Sequence, residues 1–148
     1  MNATIYNYLA SDLSLCSLLN HMPSQKSHKI FMGRPQNIYN NPALVNEKGS
    51  FIEYPYIIFD VLPLDNNVVT QFRVKVTTIV SDDLQIDAIT KRLNEILDFN
   101  KPNISRPSNI VNGTTILHSQ LISGGNFLYH DEEKLFEQIQ YFLVKVKG

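Results

Sequence analysis

The sequence predicts an α+β domain: a single antiparallel β-sheet with two main helices packed on one face. Three observations carry this. Residues 68–80, "VVTQFRVKVTTIV", alternate apolar and polar side chains, the period of a strand with one buried and one wet face. Residues 82–98 repeat apolar side chains at helical spacing behind an acidic start. The remaining apolar runs are short, rich in β-branched and aromatic residues, and punctuated by Pro, Asn and Gly.

Residues 3–19 read as helix, in one or two pieces, because Ile5, Tyr8, Leu9, Leu13, Cys16 and Leu19 fall near one face. Ser11 followed by Asp12 suits the start of a second short helix. "HKIFM", 28–32, reads as a short strand, and 33–50 as a long irregular loop rich in Asn, Pro and Gly. Residues 56–62 form a strand whose start is fixed by Pro55 and whose exit is fixed by Pro63. A turn at Asp65, Asn66 and Asn67 joins it to 68–80, so that 56–80 is a hairpin. Val68, Thr70, Phe72, Val74, Val76 and Val80 take the core face; Gln71, Arg73, Lys75 and Thr77 take the other.

Ser81 suits a helix N-cap, with Asp82 and Asp83 in the first turn. Ile86, Ile89, Leu93, Ile96 and Leu97 make the buried stripe, while Gln85, Lys91, Arg92 and Glu95 face out. Two prolines break the chain within 100–109. Residues 114–122 and 134–146 close the sheet as strands, separated by a turn or bulge at Gly124 and Gly125 and by the polar "HDEE", 130–133.

With 148 residues, 43% of them hydrophobic, the chain suits one domain, 1–148, with a real core. A net charge of −1 argues against a protein that coats nucleic acid through a strong overall positive field. The lone Cys16 excludes an intramolecular disulfide. The first residues lack the basic and continuous apolar regions of a signal peptide, and no run is long enough to predict a membrane span.

Chemistry finds little purchase. His130, Asp131, Glu132 and Glu133 are consecutive, and in an extended connector they point in alternating directions, so a solvated turn is expected rather than a metal site. His21 and His28 flank a connector with no Cys or carboxylate at ligand spacing, and His118 lies in a strand, where a satisfied or exposed histidine is expected. No phosphate-binding glycine loop, dinucleotide fingerprint or nucleophile elbow is present. No catalytic, metal-binding or cofactor-binding residue is predicted, and no cofactor. Gln71, Arg73 and Lys75 are the candidate polar sheet face, either plain solvated surface or the lining of a channel or interface.

The order of the pieces resembles the tail-terminator, or tail-completion, proteins of long-tailed bacteriophages, including the tail-to-head joining proteins. The resemblance rests on "LASDLSLCSLL" (9–19), "KIFMG" (29–33), "YPYIIFDVLP" (54–63), "SDDLQIDAITKRLNEIL" (81–97) and the closing "YFLVKV" (141–146). It implies a non-enzymatic virion protein of the tail or neck, assembled in the host cytoplasm. Copies form a ring, commonly a hexamer, that caps the tail tube, stops its elongation and receives the head-completion or connector protein. DNA passes through the ring without sequence-specific binding, and no membrane is involved. On that resemblance the exposed strand edges, expected along 68–80 and 134–146, meet neighbouring subunits. The loop at 34–53 contacts a neighbour or the tube through Ile38, Tyr39, Leu44 and Val45. Two other readings stay open: a head-completion or stopper protein, and a small cytoplasmic ligand-binding or enzymatic α+β domain.

Overall fold

The fold, a computed structural model, describes residues 2–22, 29–33, 55–65, 68–102, 104–124, 127–131 and 134–147. Its elements are α1 (Asn2–Ala10), α2 (Leu13–Leu19), β1 (Ile30–Met32), β2 (Tyr56–Pro63), β3 (Thr70–Val80), α3 (Asp83–Leu97), β4 (Ile110–Val111), β5 (Thr114–Ser123), β6 (Phe127–His130) and β7 (Leu135–Lys147). The strands form one curled sheet in the order β1-β2-β3-β7-β5-β4, with β6 also paired to β7.

This corrects the expected fold class. The sheet is mixed, not purely antiparallel, because β1 runs parallel to β2, with Ile30 opposite Ile57 and Met32 opposite Phe59. Strands hold 46% of the described residues and helices 28%, and the helices number three rather than two. Parallel pairing needs a crossover of a dozen or more residues. The separation of Met32 from Tyr56 supplies one, which gives the long polar segment a topological reason to exist.

The 56–80 hairpin is present in the expected antiparallel sense, with Phe59 opposite Val76 and Pro63 opposite Phe72. Val74, Val76 and Val80 are buried, as their alternation demanded. Val68, placed on that face from sequence, precedes the strand and is 85% exposed. Thr77, expected on the wet face, is buried, because residues 76–80 lie deep in the sheet where both faces are covered. Phe72 is only half-buried near the outer end of the hairpin. Phe72→Ala should therefore cost about 1–3 kcal/mol, and the exposed Arg73→Ala on the order of 0.5 kcal/mol or less, as read by thermal melts.

Helix α3 buries Ile86, Ile89, Leu93, Ile96 and Leu97, the full predicted stripe. Its N-cap is Asp82 rather than Ser81; the Asp82 carboxylate accepts from the Leu84 N–H at 2.9 Å. Polar bonds then fix the helix to the sheet. Gln140 Nε2 donates to Asn94 Oδ1 at 2.7 Å, and Ser119 Oγ donates to the Leu97 carbonyl at 2.6 Å. Arg106 collects the carbonyls of Glu95, Asp98 and Lys101 and lies over the Phe99 ring, 5.5 Å from guanidinium to centroid. That cation answers the partial negative charge at the end of α3, where the sequence offered only a proline-broken connector.

The first helical segment is two helices. Asp12 caps α2, its carboxylate accepting from the Leu15 N–H at 2.9 Å, and Asn20 closes it in the left-handed region at φ 57°. The break restarts the helical phase. Leu13, expected inside, is 83% exposed, and Leu15 is buried in its place. Arg92, expected to face out, instead grips Asp12 with two bonds, Nε to Oδ2 at 2.8 Å and Nη2 to Oδ1 at 2.6 Å, and also reaches Glu95 at 3.0 Å. Two hydrophobic clusters result. The larger joins Ile5, Tyr8, Leu15 and the α3 stripe to Ile57, Phe59, Val74, Phe142 and Val144. The smaller, Phe31, Tyr56, Ile58 and Ile79, draws on strands alone among the described residues.

Candidate assembly interface

Alternation along β3 and β7 separates the two sheet faces. Phe72, Val74 and Val76 lie opposite Val144, Phe142 and Gln140 on the helix-covered side. Gln71, Arg73 and Lys75 lie opposite Lys145, Leu143 and Tyr141 on the side without helices. The three polar residues picked from sequence are thus brought together on one face. Arg73 is exposed and rests over the Tyr141 ring at 5.5 Å; Lys75 is half-buried and opposes Asp60 on β2. Lys145 and Lys147 share this face by the same alternation. Sequence reading passed over them because nothing local said that β7 lies beside β3. Ile38, Tyr39, Leu44 and Val45 lie outside the described residues.

The edges fall elsewhere than expected. β3 and β7 are interior strands, each paired on both sides, so the runs 68–80 and 134–146 present no free edge along most of their length. Among the described residues the edges belong to β1 on one side and to β4, β5 and β6 on the other. β5 and β6 follow one another along β7, Ser123 lying opposite Tyr141 and Phe127 opposite Gln138. The chain therefore runs in one direction along β7 on both sides of 125–126, and the turn or bulge expected at Gly124 and Gly125 falls partly outside the described residues.

This far edge is apolar. Ile110, Leu117 and Ile122 are 62%, 45% and 52% exposed, and Phe127, Leu128 and Tyr129 are 52%, 43% and 49% exposed. Leu117 and Ile122 lie at the register shifts of β5, as expected where a bulge adds a residue to one strand. Phe127 and Tyr129 flank Phe136, with ring centroids 5.7 and 4.8 Å apart, so the edge has a fixed aromatic shape. An apolar edge strand with unpaired backbone groups is a template for another chain, and folded proteins cover or blunt such edges.

Titratable groups take structural positions. His21 is buried, and its Nδ1 accepts from the Lys29 N–H at 2.9 Å, which leaves the protonated Nε2 toward the Tyr6 hydroxyl at 3.2 Å. His118 is edge-on to Phe99 and 3.4 Å from Gln120 Oε1. Burial first, and then the Asp12 carboxylate, push the Cys16 thiol up from its usual range, which works against the thiolate form. Cys16, expected in the core, is half-buried, with its sulfur 3.2 Å from the Ala10 carbonyl. Among the described residues, no three His, Cys, Asp or Glu side chains converge as a metal site.

No family model and no curated protein matches this chain. It is similar in fold to a chain in the solved structure of the virion of a native gene transfer agent particle. The two superpose over 100% of this chain and 95% of the other, with a TM-score of 0.61 and 10% sequence identity. At that identity the likeness is one of fold.

Proposed function

We propose that this protein is a structural component of a phage-like virion, and that it forms the ring that terminates the tail tube and meets the head connector. The observation that carries this reading is the fold likeness to a virion chain, which runs the full length of this chain. The resemblance of its sequence pieces to tail terminators points the same way. In this reading the ring is a hexamer, its partners are the tube protein and the head-completion protein, and DNA passes through its centre.

In this reading the ring closes through the sheet edges. A head-to-tail contact uses two different surfaces of one subunit and closes when the rotation permits. The sheet offers two: the β1 edge and the apolar β5–β6 edge at the opposite side. Joining them buries Phe127, Leu128 and Tyr129. The loop at 34–53 adds contacts through Ile38, Tyr39, Leu44 and Val45. A head-completion or stopper protein is the second reading; it also fits a virion fold and differs in where the ring sits.

Leu128→Lys tests the edge. The residue is 43% exposed, so the monomer should melt within a few degrees of the parent, as expected for a change of about 0.5 kcal/mol. Negative-stain images of the parent, alone or with tail tubes, should show rings with a central hole, and the variant should show none. Rings of normal size from the variant would contradict this edge as the contact.

A further inference from the structure

We propose that the helix-free sheet face binds the phosphodiester backbone of duplex DNA through a diagonal row of four cations, Lys75, Arg73, Lys145 and Lys147. The row follows from register. Arg73 and Lys75 are two residues apart on β3, and Lys145 and Lys147 two apart on β7. Arg73 opposes Leu143, so Lys145 is its diagonal neighbour across the strands. Each step is then about 7 Å, two residues along a strand or one diagonal between strands. That is close to the spacing of successive phosphates on one DNA strand.

The charge is concentrated here although the chain as a whole carries −1. Two carboxylates lie near: Asp60, opposite Lys75, and Asp65, whose Oδ1 accepts from the Gln71 N–H at the hairpin turn. The four cations outnumber them two to one. Glu137 shares this face four residues along β7 from Tyr141, the residue opposite Lys75, so it lies about 14 Å from Lys75 and about 26 Å from Lys145 at strand rise, beyond the screening length of physiological salt. β3 and β5 contain no acidic residue. Arg73 and Lys147 are exposed; Lys75 and Lys145 are half-buried, with stems along the sheet.

The same face disfavours other nucleic-acid modes. Its aromatic side chain beside the row, Tyr141, lies under Arg73 and is not open for stacking, so the face is no platform for single-stranded bases. Gln71 shares the face with the four cations, but the contact proposed is with phosphates alone and is therefore sequence-independent. Such contact is weak and strongly dependent on salt, which suits DNA that must pass the protein rather than stay on it. The proposal deepens the ring reading, but it is measured on the isolated chain. Its failure leaves ring formation untouched, and absence of a ring leaves this measurement standing.

The test is fluorescence anisotropy of a short labelled duplex titrated with the purified protein over a series of salt concentrations. Binding should be detectable at low salt and equal for unrelated sequences. Its logarithm should fall with log salt at a slope of about −3 to −4, from four contacts at about −0.9 each. Arg73→Gln, Lys145→Gln and Lys147→Gln combined should weaken low-salt binding at least tenfold and flatten the slope to about −1, with the circular dichroism spectrum unchanged. Lys91→Gln with Lys101→Gln, exposed and away from this face, should leave both unchanged. The proposal is overturned by no binding at low salt, by a triple variant that binds like the parent, or by equal loss in the control variant. Tighter binding to single strands of the same length, or to phosphatidylserine vesicles, overturns it as well.

Discussion

Phe142→Ala is expected to lower stability by about 3–5 kcal/mol, the range for a large aromatic removed from a packed core. The side chain is fully buried in β7, between Val74 on β3 and Leu121 on β5. It belongs to the larger cluster with Leu93 and Ile96 of α3. Collapse into the vacated space is resisted because the sheet pins Val74 and Val144 on their strands. The melting temperature should fall by on the order of 10 °C. Phe142→Leu, which keeps most of the volume, should cost less than about 1.5 kcal/mol. Equal melts for the alanine variant and the parent would contradict the packing of α3 on β7.

Asp12→Ala is expected to cost about 2–4 kcal/mol. Two losses add. The Leu15 N–H loses its cap, about 1 kcal/mol in similar cases. Arg92, whose side chain is only 15% exposed, loses both bonds to the carboxylate. A buried pair broken from one side costs about 3–5 kcal/mol, and less here because Arg92 keeps Glu95 and the Ser105 carbonyl. Arg92→Lys should also destabilise, since an ammonium cannot make the two-pronged contact. Urea titrations of Asp12→Ala, Arg92→Ala and the double variant measure the coupling directly. A coupling energy near zero would mean the two side chains do not hold α2 against α3.

That pair marks the limit of what the sequence displays. Asp12 is recognisable as a cap and Arg92 as a polar helix position, yet their contact spans 80 residues. Where a local pattern decides the outcome, reading succeeds: the α3 stripe and the pairing of the two strands within 56–80 follow from periodicity. Where sheet order decides, it fails. Alternation in 134–146 says which side chains share a face but not which strands lie beside it, so interior strands read as edges. The short strand at β1 is legible, but its parallel pairing with β2 is not, for the same reason. The β4–β5 hairpin, by contrast, is legible locally. Asn112 and Gly113, at φ 50° and 82°, form a two-residue turn between Val111 and Thr114, and Asn-Gly between apolar runs signals such a hairpin. For the candidate surfaces, Gln71, Arg73 and Lys75 were legible because alternation groups them. Lys145 and Lys147 complete the row only once β7 is paired with β3. The apolar β6 was hidden between a glycine pair and an acidic turn.

The proposed position at the end of a tail tube can be seen directly in a reconstruction of a phage-like particle assembled with this protein. The prediction is a closed ring of copies, six on the proposed reading, at the head-proximal end of the tail tube. The β5–β6 edge of each copy should lie against its neighbour, and the face bearing Arg73 and Lys145 toward the central channel. Single copies, or copies placed in the capsid shell or at the distal tip of the tail, would contradict it.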